Sequence, residues 1–115
     1  MSSRILIVDD NTAITDALGL ILERNGYDVS VANDGQQALD ALLDSPRPDV
    51  VLLDLRLPVL SGREILKRIT SHHELASVFV IVMSAEAAAD LPGDIHFVEK
   101  PIQILNLLKL IGSHR

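Results

Sequence analysis

The sequence predicts an α/β domain: a doubly wound, five-stranded parallel sheet with helices on both faces. Three observations predict it. Five short β-type runs alternate with helix-type segments along the chain, the pattern of a parallel sheet wound by crossover helices. Val50 to Leu53 are four consecutive apolar residues, as in a strand buried on both faces. The chain has 115 residues, 48% of them hydrophobic, which suits one packed core and one domain spanning 1–115.

The runs are "RILIV" at 4–8, "DVSVA" at 28–32, "DVVLL" at 49–53, "VFVIVM" at 78–83 and "IHFVE" at 95–99. Between the first two, Ile14, Ala17, Leu18, Ile21 and Leu22 recur at helical spacing, and Asn25-Gly26 supplies a stop. The second helix is "QQALDALLDS", with Ala38, Leu39, Leu42 and Leu43 on one face and Pro46 beyond its end. The third opens "SGREILKRI", where Ser61 and Glu64 stand at capping-box spacing. The last places Ile104, Leu107, Leu108 and Ile111 on one packed face. Leu105 and Leu110 lie off that face, as surface leucines or as part of a partner surface. Between strands four and five only "AEAAADL", 85–91, is left for a shortened fourth helix of about two turns. Right-handed crossovers leave few topologies, and the common one is the flavodoxin-like order 2-1-3-4-5.

Composition narrows the function. Ten basic against 16 acidic residues give a net charge of -6, which argues against holding a nucleic-acid backbone. The absence of cysteine removes disulfides and thiolate zinc sites. "MSSRILIVDD" has too short an apolar core for a signal peptide, and "VFVIVM" is far short of a membrane span. A soluble, cytoplasmic domain is expected.

The carboxyl ends of the strands carry the chemistry. Strand one ends in Asp9 and Asp10, strand three in Asp54, strand four in Ser84 and strand five in Lys100. With strands one and three adjacent, three carboxylates share one pocket. Two unit charges about 4 Å apart repel by roughly 4 kcal/mol at an effective dielectric near 20, so the trio holds protons or a cation. Hard oxygen ligands without His or Cys point to Mg²⁺. A carboxylate can also attack phosphorus and form an acyl phosphate, which replaces a charge of −1 with about −2. The Ser84 hydroxyl, the Lys100 ammonium and nearby N–H groups would rearrange to meet it, which makes a switch. Blander readings stand beside these: Asp54 as a turn residue, Asp9 or Asp10 as the cap of the first helix, Ser84 as a helix cap and Phe97 as core. His72 and His73, near the end of the third helix, read as solvated residues.

Taken in order, "VDD", "LLDLRLP", "VMSAE" and "FVEKP" resemble the receiver domain of two-component response regulators over essentially the whole chain, in its chemotaxis-type single-domain form. The resemblance implies that Asp54 accepts a phosphoryl group from a histidine of a sensor kinase or phosphotransfer protein. It implies that Asp10 binds Mg²⁺ directly and Asp9 through water, with Asp54 and the Arg56 main-chain carbonyl as further ligands. Lys100 would pair with a phosphoryl oxygen, Ser84 would move toward it, and Phe97 holds the aromatic switch position. Lys100-Pro101 is where the family often has a cis peptide. The implied protein is a signalling module rather than an enzyme, with a homodimer or effector surface on the fourth helix, fifth strand and fifth helix. Neither nucleic acid nor membrane is an expected partner.

Two departures stand out. Ser84 and Lys100 are only 16 positions apart, fewer than the family usually has, and Ser61 replaces a common acid. The alternative function is an aspartyl-phosphate phosphatase of the haloacid dehalogenase type. That class wants an acid two residues after its nucleophile, where Arg56 stands. A flavin-binding reading meets an acidic loop, "DDNTAI", where flavin phosphate needs hydroxyls and free N–H groups. Whether the domain stands alone or is cut from a longer regulator stays open.

Overall fold

Side chains alternate along each central strand between two helical layers, and that alternation aims the strand ends. The structure, a computed structural model, describes residues 3–44, 46–85, 91 and 95–113. Its elements are β1 (Arg4–Val8), α1 (Thr12–Arg24), β2 (Asp28–Ala32), α2 (Gly35–Leu43), β3 (Val50–Asp54), α3 (Gly62–Ser71), β4 (Phe79–Ser84), β5 (His96–Glu99) and α4 (Ile104–Gly112). The sheet is wholly parallel in the order β2-β1-β3-β4-β5, as predicted. The short helix expected at 85–91 lies outside the described residues except for its two ends, so α4 denotes the final helix.

One layer of core packs Leu6, Val8, Val51, Leu53, Val80 and Val82 against Ala38 and Leu42 of α2 and Ile65 and Ile69 of α3. The other packs Ile5, Ile7, Val50, Leu52, Ile81 and Met83 against Leu18 and Leu22 of α1 and Leu107 and Ile111 of α4. Every residue of β3 is buried, which is why its sequence is an unbroken apolar run up to Asp54. Two-residue periodicity then has a consequence at the carboxyl edge. Asp9 continues the Ile5–Ile7 row and Asp54 continues the Val50–Leu52 row, so both acids fall on the α1–α4 side.

The helix ends are chemically marked. Asn11 caps α1, its side chain accepting the Ala13 and Ile14 N–H groups at 3.0 and 3.3 Å. The cap is therefore neither Asp9 nor Asp10. At the other end Gly26 takes φ of 90°, and the Gly26 and Tyr27 N–H groups return to Glu23 and Leu22 carbonyls. Ser61 caps α3 by accepting the Glu64 N–H at 3.2 Å, as its spacing predicted.

Some expectations need adjustment. Leu43 is 42% exposed, because α2 is short and turns only Ala38 and Leu42 fully into the core. The segment after α3 contains an unpredicted 3₁₀ turn, His73–Leu75, which buries Leu75 and leaves His72 and His73 exposed. Leu105 and Leu110 part company: Leu105 is exposed, whereas Leu110 packs partly against the α1–α4 layer. Phe97 is 36% exposed on β5 and is not a core residue.

Candidate functional site

Three strand ends build the site. Asp9 leaves β1 fully buried, Asp54 closes β3 with 7% exposure, and Asp10 is exposed beside them. Each offers a carboxylate oxygen, and the three oxygens lie within 4.8 Å of one another. Lys100 reaches in from the end of β5, its Nζ donating to Asp9 Oδ2 at 2.9 Å and to Asp54 Oδ2 at 3.2 Å. Arg56, Ser84 and Ala85 complete an open cleft of about 340 Å³ around these groups. Main-chain geometry holds β4 and β5 together here, for the Lys100 N–H donates to the Ser84 carbonyl at 2.8 Å. The Lys100-Pro101 peptide is cis.

The remaining carboxylate oxygens are held by the backbone. Asp9 Oδ1 accepts the Asn11 N–H at 2.9 Å, and Asp54 Oδ1 accepts the Arg56 N–H at 3.2 Å. An ionised carboxylate has about four acceptor positions, so both acids keep capacity for a further partner. Burial, reinforced by the charge of Asp9, raises the Asp54 pKa above the ordinary carboxylate value despite the Arg56 N–H and Lys100. For Lys100, burial pulls the pKa down, but the hydrogen bond to Asp9 and the charges of Asp54 and Asp9 outweigh it and raise it. The site therefore resists negative charge on Asp54 and favours positive charge beside it. Its donor set, three carboxylates without His or Cys, fits a hard divalent cation such as Mg²⁺.

Of the residues singled out by sequence, the cleft gathers Asp9, Asp10, Asp54, Arg56, Ser84 and Lys100. Phe97 stands apart, lining a separate open cavity of about 710 Å³ between β5 and α4. Two supporting residues were not singled out from the sequence. Asn33, just after β2, donates from Nδ2 to the Asp9 carbonyl at 3.1 Å. Gly62 lets α3 start against the loop behind Asp54, since a Cβ there would meet the Asp54 carbonyl oxygen at 2.1 Å. A capping Ser followed by Gly could have hinted at Gly62, whereas nothing in the sequence ties Asn33 to Asp9.

Comparison with known proteins agrees with this geometry. The family model described as the response regulator receiver domain matches residues 5–112, and the chain belongs to that family, a signalling module of two-component systems. Among curated proteins it is similar to a response regulator, MprA, of Mycolicibacterium vanbaalenii, at 37% identity over 94% of this chain and 48% of the relative. The chain thus spans about half the length of the curated relatives it matches. Among solved structures it is similar to a CheY-like response regulator receiver domain protein from Methanospirillum hungatei, at 30% identity, with a TM-score of 0.86 over 98% of this chain and 93% of that one. A response regulator receiver protein from Pseudomonas putida gives 28% identity and a TM-score of 0.87, covering 98% of each. Among the described residues no helix is long and apolar enough to cross a membrane.

Proposed function

We propose that the chain is a phosphorylatable switch in which Asp54 accepts a phosphoryl group from a phosphohistidine of a partner kinase or phosphotransfer protein. One observation carries this: the buried Asp54 carboxylate faces an open cleft beside Asp9 and Asp10, and the Lys100 ammonium bridges it to Asp9, at 3.2 and 2.9 Å. Asp9, Asp10 and Asp54, with the Arg56 main-chain carbonyl, are the ligands proposed for Mg²⁺, Asp9 acting through water. An ion held by these residues would supply positive charge to the phosphoryl oxygens.

In the transfer, an Asp54 oxygen forms a bond to phosphorus as the phosphorus–nitrogen bond of the donor imidazole breaks. The leaving nitrogen keeps the electron pair. Lys100 meets a phosphoryl oxygen, and the Ser84 hydroxyl, buried at the end of β4, turns toward another. The small Ala85 leaves the approach open. Ser84 and Phe97 then carry the change toward β5 and α4, where a second copy or an effector would dock. The domain binds neither nucleic acid nor membrane in this reading and acts in the cytoplasm. It catalyses at most its own phosphorylation and dephosphorylation. The haloacid dehalogenase alternative gains nothing from the site, because Arg56 and not an acid follows Asp54 by two positions.

Incubation with Mg²⁺ and a small acyl phosphate, followed by intact mass measurement, tests the proposal. The expected result is one added phosphoryl group in the wild type and none in Asp54→Asn. A folded wild type that stays unmodified overturns it.

A further inference from the structure

The end of β2 and the turn after it contribute no charged group to the cleft, yet together they grip both main-chain polar groups of Asp9. The Asp9 N–H donates to the Ala32 carbonyl at 3.1 Å, and the Asp9 carbonyl accepts Asn33 Nδ2 at 3.1 Å. Only the amide nitrogen of Asn33 can serve a carbonyl, so the orientation of this side chain is chemically determined. Asn33 is itself anchored: its N–H donates to Gln37 Oε1 at 3.0 Å, and the Gln37 N–H donates to the Asp34 carboxylate at 2.8 Å. The grip on Asp9 is therefore backed by the first turn of α2.

That same turn of α2 touches the loop that leaves Asp54. The Gly35 N–H points to the Pro58 carbonyl at 3.4 Å, and a Cβ on Gly35 would sit 1.9 Å from the Leu60 carbonyl oxygen. The loop that leaves Asp54 thus rests directly on the residue after the Asp34 cap. A continuous set of contacts runs from the Asp9 peptide through Asn33 and the start of α2 to the loop behind Asp54.

We infer that Asn33 is a positioning residue for the acidic pair. Its hydrogen bond to the Asp9 carbonyl sets the peptide plane joining Asp9 to Asp10, and so the direction in which Asp10 is presented to a divalent cation. Asp10 is exposed, so the backbone that carries it is the main restraint on where its carboxylate points. Without the Asn33 amide, that plane can rotate while Asp9 stays held by Lys100 and the Asn11 N–H. Partners one step removed from a metal commonly change affinity by about 10–100-fold, and the lower figure suits a contact made through the backbone.

This inference rests on the proposal that the three acids bind Mg²⁺, and the test separates the two. Titration calorimetry with Mg²⁺ alone compares wild type, Asn33→Ala and Asn33→Asp, under conditions where circular dichroism shows all three folded. Asn33→Ala is expected to bind about tenfold more weakly. Asn33→Asp is expected to bind more weakly too, although its added charge alone would attract the cation. In metal-free ¹⁵N spectra the Asn11 and Asp10 amide resonances should shift in Asn33→Ala, a change that reports site geometry without any ion. Wild-type affinity in Asn33→Ala, or tighter binding in Asn33→Asp, overturns the role of Asn33 and leaves the metal reading intact. A wild type that binds no Mg²⁺ overturns both.

Discussion

Strand β3 has an acid at each end, and the two acids do different things. Asp49 stands just before the strand on an exposed edge. Its carboxylate accepts the Arg4 N–H at 2.7 Å, and its own main chain bonds Arg4 and Phe79, so it ties three strands at their start. Asp54, five residues on, is buried, shares Lys100 with Asp9 and faces a cleft. One acid is satisfied by backbone on an exposed edge; the other, besides one backbone N–H, is crowded with like charge and shares a single ammonium. The comparison teaches that an acid at a strand end signifies little by itself. Convergence of several strand ends on one side of the sheet gives Asp54 its chemistry.

The largest expected difference is in phosphoryl uptake. Asp54→Asn should abolish it, whereas Asp49→Ala should retain it while losing about 1 kcal/mol of stability with its hydrogen bond to Arg4. Equal loss of uptake in both variants would break the comparison. Next comes the shared ammonium. Lys100→Met leaves two acids facing each other without their cation and should destabilise the metal-free protein by about 3 kcal/mol, measured by urea unfolding. Mg²⁺ should recover more stability in this variant than in the wild type, since the ion then supplies the missing positive charge.

A pH profile sharpens the contrast further. The folded-state pKa of Asp54 is raised above 3.8, so its contribution is fully present below that value and is lost as pH rises through the raised pKa. Metal-free Asp54→Asn should therefore be more stable than the wild type at neutral pH. That advantage should fade as the medium is acidified toward 3.8. Lys100, raised above 10.5, keeps its stabilising role throughout this range and loses it only in stronger alkali. Thermal unfolding at several pH values reads both effects.

The smallest change concerns the loop beyond Asp54. Val59 has φ of 71° and is 82% exposed, while the Leu60 N–H returns to the Pro58 carbonyl at 2.8 Å in a tight, strained γ-turn. Val59→Gly should stabilise the protein by about 1 kcal/mol, the relieved strain exceeding the added chain entropy. An unchanged or lower Tm would show that the loop holds no such strain.

Much of this was readable from the residues. Strand and helix alternation led to the sheet order, and the adjacency of strands one and three brought Asp9, Asp10 and Asp54 to one pocket. The apolar run ending in Asp54 marked the central strand, and Asn25-Gly26 and Ser61 marked helix ends. What escaped depends on contacts between segments distant in the chain. An Asn after a strand looks like any turn residue until its amide is seen against a carbonyl 24 positions away. A β-branched Val gives no sign of positive φ, because local sterics oppose it and only the docking of neighbouring loops sustains it. Leu43 shares a helical face with Ala38, Leu39 and Leu42 by spacing, yet as the last residue of a nine-residue helix it stays 42% exposed.

The most direct test asks which carboxylate carries the phosphoryl group. The protein is treated with an acyl phosphate and Mg²⁺ and reduced with borohydride, which converts an aspartyl phosphate to homoserine. Peptide mass spectrometry then locates the reduced residue. Homoserine at position 54 alone is the predicted result. Homoserine at 9, 10 or 49, or none in a folded protein, would contradict the account.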